Sequence, residues 1–154
     1  MQAQEKGLSK NLRYHILVLA LLCIPPILIL IGTIYDVEWI RNLFSITCHQ
    51  LPQRSFEIWG NQMVVCSRCT GIWFFLQIGE LLLILMAPSR KKIIHPVIIA
   101  LFVLPIAVDG LLQEITAYES DNVTRLITGS LLGVIAGFVL GIVINRIGNH
   151  EGEK

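Results

Sequence analysis

Four long apolar blocks dominate the chain, and its polar residues are gathered between and at the ends of them. Arg13 and Asp36 bracket the first block, 22 residues without Asp, Glu, Lys or Arg. About 20 apolar residues span the hydrocarbon core of a bilayer, so residues 14–35 predict a transmembrane helix. Pro25-Pro26 removes two amide donors near its middle and predicts a kink there. Cys23, just before the prolines, reads as a small buried hydrophobe. Lys6, Lys10 and Arg13 resemble the basic start of a signal peptide. The apolar run is too long for one, however, and no small-x-small cleavage site follows it.

The second predicted span, 69–88, is interrupted by Gln77 and Glu80 and ended by Pro88. The third, 93–118, opens on His95-Pro96, contains Pro105, and carries Asp109, Gln113 and Glu114 towards its end. The fourth, 122–146, has Asn122 as its expected helix cap. In it Gly129, Gly133, Gly137 and Gly141 recur every fourth residue. They form a ridge that admits close approach of another helix, from this chain or from a second copy in a homo-oligomer.

Residues 36–68 form the longest connection. Trp39, Ile40, Leu43 and Phe44 recur at helical spacing, and Phe56, Ile58 and Trp59 follow among charges. The pattern predicts two short amphipathic segments at the membrane interface, joined by the Cys48-His49-Gln50-Leu51-Pro52 turn. Gly60-Asn61 breaks the chain before the next cysteines.

Composition sharpens the class. The 154 residues are 54% hydrophobic and 15% charged, with mean hydropathy +0.67, whereas a soluble domain carries about 25% charge. The prediction is an all-α membrane protein, one integral domain over 1–154, with four transmembrane helices and a Cys/His-bearing loop. A net charge of +1 gives no basis for a nucleic-acid partner; the lipid bilayer is the expected one. Lys6, Lys10, Arg13, the Arg90-Lys91-Lys92 turn, Arg146 and Lys154 put both termini in the cytoplasm of a multi-pass cell-membrane protein. The cysteine-bearing loop is then extracytoplasmic, although Arg41, Arg54 and Arg68 also lie in it.

That topology ranks the polar residues by depth. Asp109 lies roughly 13 Å from the Tyr118 end of its helix, with Gln113 one turn nearer the surface on the same face. Arg125 lies about one turn into the fourth helix, and Glu80 about 16 Å below Cys69. Ionisable residues at such depth are functional candidates by default; the plainer expectation is an Asp109–Arg125 ion pair.

The distinctive chemistry lies in Cys48-His49 and Cys66-Ser67-Arg68-Cys69. Cys-x-x-Cys at a helix start turns both sulfurs to one point, and helix amides favour the thiolate. Cys48, His49, Cys66 and Cys69 make a Cys3His set for zinc or copper, although adjacent residues rarely ligate one ion comfortably. Redox thiols and one structural disulfide are the alternatives. Three cysteines cannot all pair among themselves, which favours metal.

Cys-His-Gln-x-x-x-Arg-Ser-Phe (48–56), Cys-x-Arg-Cys-x-Gly (66–71), Asp109-Gly110-x-x-Gln113 and Asn122-x-x-Arg125-x-x-x-Gly129 resemble the family designated domain of unknown function 2085. The resemblance implies a multi-span prokaryotic membrane protein, points to these same residues, and names no activity. Two functions stay open: a metal-binding membrane protein, with Asp109, Gln113 and Glu80 forming a polar path beneath the cluster, or a membrane thiol-disulfide oxidoreductase. No Ser nucleophile elbow, phosphate loop or His-Glu-x-x-His is present to suggest a soluble hydrolase.

Overall fold

The computed structural model describes residues 2–86, 95–116 and 118–150. The basic turn at Arg90-Lys91-Lys92 and Lys154 lie outside them. Among the described residues, four helical stretches are long and apolar enough to cross a membrane: Leu12–Ile34, Ser67–Met86, Pro96–Ile115 and Asn122–Ile147. They fall within the regions of the expected spans; the expected ends at residues 88 and 93 lie outside the described residues.

The first span is two helices, α1 (Gln2–Leu22) and α2 (Ile24–Ile34), joined at the half-buried Cys23. The expected kink falls there because Pro25 and Pro26 have no N–H for the carbonyls of Leu21 and Leu22. Beyond α2, Asp36 adopts a left-handed conformation (φ 46°), and the Val37 N–H reaches back to the Gly32 carbonyl at 3.0 Å. This is a Schellman-type stop, and it turns the chain into the loop.

The loop is folded. Its first segment is the expected amphipathic helix, α3 (Glu38–Ser45), with Ile40 and Phe44 buried. The second is a hairpin, β1 (Glu57–Ile58) with β2 (Asn61–Gln62). Trp59 and Gly60 both take positive φ, 53° and 82°, the conformation a two-residue type I′ turn requires. Ile40, Phe44, Cys48, Met63, Val64 and Val65 bury themselves against Ile29 of α2, and Phe44 meets Trp73 edge-on at 6.4 Å. Gln50, itself left-handed at φ 51°, locks this arrangement: its side-chain amide donates to the Arg41 and Val64 carbonyls at 2.7 and 2.8 Å.

Helices α4 (Ser67–Met86) and α6 (Asn122–His150) form the backbone-to-backbone seam of the bundle. A Cβ at Gly129, Gly133 or Gly137 would strike the carbonyls of Arg68, Ile72 and Leu76 in turn. Reciprocally, one at Gly71 or Gly79 would strike the carbonyls of Leu126 and Val134. Both number series rise together, so the two helices run parallel. The glycine ridge is therefore filled by α4 of the same chain. Packing against α4 accounts for the close approach that the ridge was expected to admit. Helix α5 (Pro96–Ile115) lies alongside α6, and Asp109 is its one fully buried residue among those described. It ends before the expected residue 118, because the extended Thr116 breaks the helical path.

Candidate functional site

The three loop cysteines converge. Cys48 follows α3, its N–H bonded to the Phe44 carbonyl at 3.0 Å. Cys66 immediately precedes α4, and Cys69 lies in the first turn of that helix. Their Sγ atoms all lie within 4.8 Å of one another, and all three are free thiols. The main-chain N–H of Cys66 donates to Cys48 Sγ at 3.1 Å. The Cys48 and Cys69 thiols beside Cys66 hold its thiol far below the ordinary range. Cys48, which shares its proton with Cys66, is pushed up, and burial adds to that.

His49 does not join them. It is exposed and lies outside the group of mutually close ligand atoms. With Cys48 directed into the loop core, the next side chain along points away, so the Cys3His set reduces to three thiols.

Beside the triad lies a polar network. The expected Asp109–Arg125 pair is corrected: Asp109 Oδ2 accepts from Arg68 Nη2. It also accepts from Gln113 Nε2 at 2.9 Å, and Gln113 Oε1 accepts from Arg125 Nη2 at 3.2 Å. Gln113 thus stands between Asp109 and Arg125. The physical reason is the glycine seam, which sets Arg68 of α4 level with Gly129, one turn deeper in the bundle than Arg125 and so nearer the depth of Asp109. Ser120 Oγ accepts from Gln113 at 2.8 Å, and the Arg54 guanidinium lies 4.0 Å from Glu119. Asn122 is not the cap of α6: Asp121 Oδ1 accepts from Thr124 N–H at 2.9 Å, and Asn122 Nδ2 reaches the Ser55 carbonyl at 3.3 Å.

Glu80 belongs elsewhere. Fully buried, it pairs with His15 Nδ1 at 2.6 Å, and His15 Nε2 meets Asn145 Oδ1 at 3.0 Å. Three spans thus meet in one polar knot near the end of the bundle where α1 begins. The expected path from the cysteines through Glu80 is corrected: the carboxylate is committed to His15 about 16 Å along α4 from Cys69. His15 was missed because the apolar run was measured only by its lack of Asp, Glu, Lys and Arg. Counting histidine among the ionisable residues would have marked it.

Residues 48–140 match the family of predicted membrane proteins designated domain of unknown function 2085. An uncharacterized protein of Methanocaldococcus jannaschii is 37% identical over 107 residues, covering 68% of this chain and 69% of its own. An uncharacterized protein of Methanothermobacter thermautotrophicus is 35% identical over 94 residues, covering 59% of this chain and 81% of its own. No solved structure matches. The matched segment begins at Cys48 and takes in both cysteine motifs, Asp109, Gln113 and Arg125. The chain belongs to this family of predicted membrane proteins.

Proposed function

We propose that Cys48, Cys66 and Cys69 bind one transition-metal ion at the extracytoplasmic mouth of the helix bundle. The observation that carries this reading is the mutual approach of three sulfurs from two separate chain segments. In a tetrahedral zinc site with Zn–S bonds of about 2.3 Å, sulfurs stand roughly 3.8 Å apart, and a triad within 4.8 Å needs little adjustment. The Cys66 amide donating to Cys48 Sγ supports thiolate charge there, as a metal would. Three thiolates suit copper(I), or zinc with one further ligand. The extracytoplasmic assignment is supported by the basic residues flanking the opposite ends of the spans.

Elemental analysis of detergent-purified protein, beside a Cys66→Ser variant, tests the reading. The wild type should carry close to one equivalent of metal and the variant almost none; less than ~0.1 equivalent in the wild type sinks it. A thiol-disulfide exchange role is the second reading, favoured by Cys66 at the N-terminal end of α4 with the Cys69 sulfur within 4.8 Å of its own. There the Cys66 thiolate would attack a substrate disulfide, release one substrate thiol, and be resolved by Cys69, releasing the second. It predicts metal-free wild type and a mixed disulfide accumulating at Cys66 in Cys69→Ser.

A further inference from the structure

We propose that Arg54, Arg68 and Arg125 form a site for an oxyanion, of the phosphate class, beside the thiol triad. The three guanidinium groups come from the loop, α4 and α6. Hydrogen bonds tie those segments together: Arg68 and Arg125 meet through Asp109 and Gln113, and the Arg54 carbonyl accepts from Ser67 beside Arg68. Like charges so placed repel unless an anion is shared among them. The carboxylates at hand offset this only in part. Asp109 is buried but bonded to Arg68 and Gln113. Glu119 is mostly in water and only 4.0 Å from Arg54. Asp121 is fully exposed and caps α6.

The second observation is a set of unused donors. The Nε atoms of Arg54, Arg68 and Arg125 are all buried without a hydrogen-bond partner. Arg125 is only 3% exposed, and among the described residues its guanidinium makes one hydrogen bond, to Gln113. Leaving a buried charged donor unmade costs more than a neutral one, and arginine forks match the oxygens of a phosphate. Asp109 Oδ1 and Asn122 Oδ1 are unpartnered acceptors in the same cluster, so the ligand best suited carries a hydroxyl as well as an oxyanion. Monohydrogen phosphate and the headgroup of phosphatidylglycerol both do. Exposed Trp39 and Trp59 on the loop place it at headgroup level.

The test measures phosphate binding by isothermal titration to purified protein in a neutral detergent, and bound lipid by native mass spectrometry after transfer through phosphatidylglycerol or phosphatidylcholine nanodiscs. Wild type should bind one phosphate, or retain one phosphatidylglycerol and no phosphatidylcholine. Phosphate binding assigns a soluble anion; lipid retention alone assigns the headgroup. Arg54→Gln, at a half-exposed position that should fold normally, should weaken the interaction about tenfold, and Arg125→Lys, which keeps charge but not the fork, should weaken it as well. Wild type binding neither probe overturns the site, leaving an internal ion-pair and water network only. So does equal binding by wild type and Arg54→Gln. Cys66→Ser should bind as wild type; loss there with retention in Arg54→Gln would assign the anion to a metal and overturn the arginine site.

Discussion

The side-chain amide of Gln77, on α4, donates to the main-chain carbonyl of Leu22 on α1. Leu22 is the residue four before Pro26, so its carbonyl has no helical donor. In hydrocarbon no water replaces it. Gln77, read from the sequence only as an interruption of an apolar run, is the repair of the proline break. Gln77→Leu should lower stability by ~1 kcal/mol. In a Pro26→Ala background, whose new N–H can take the Leu22 carbonyl, the same change should cost clearly less. Equal losses in both backgrounds, measured by thermal unfolding in detergent, would contradict the pairing.

Asp109 answers to Arg68. Asp109→Asn should destabilise towards the lower end of about 3–5 kcal/mol, because Arg68 is partly accessible and the remaining cation is partly solvated. A double-mutant cycle should give a larger coupling for Asp109 with Arg68 than with Arg125. The reverse order would restore the pair expected from sequence.

The glycine seam makes a contrast within one chain. Gly79→Ala drives a methyl into the Val134 carbonyl and should cost about 1–3 kcal/mol as overpacking does. Gly110→Ala meets nothing within 4 Å and should be neutral or slightly stabilising, since alanine favours a helix. Melting temperatures of the two variants decide the matter.

The thiols predict a pH dependence with a definite sign. Cys66 is held low and Cys48 is raised, so as pH falls Cys48 is the first of these two to be protonated. Metal occupancy should therefore decline with falling pH as that proton returns. In chelator-treated protein at neutral pH, alkylation should reach Cys66 before Cys48, read by peptide mass spectrometry. His49→Ala should leave metal content unchanged; loss of the metal would bring the histidine back as a ligand.

Orientation is open to a direct test. A single cysteine introduced at Ser89, in an otherwise cysteine-free chain, should resist a membrane-impermeant maleimide on intact cells and react after permeabilisation. Reaction on intact cells would reverse the proposed topology.

The four spans, the proline break and the nearness of the two cysteine motifs were legible from the amino-acid order. Span length, missing amides and the Cys-x-x-Cys spacing are local properties that a chain carries wherever it folds. Partner choice was not legible. Asp109 reaches Arg68 rather than Arg125, and Glu80 finds His15, 65 positions away. These follow from how far each helix is rotated and slid against its neighbour. That register is set where α4 and α6 touch backbone to backbone, through Gly71 and Gly79 on one side and Gly129, Gly133 and Gly137 on the other. The glycine spacing announces that a close contact exists. Only the assembled bundle decides that α4 fills it, and so which charges stand level with the thiols and which lie a membrane leaflet away.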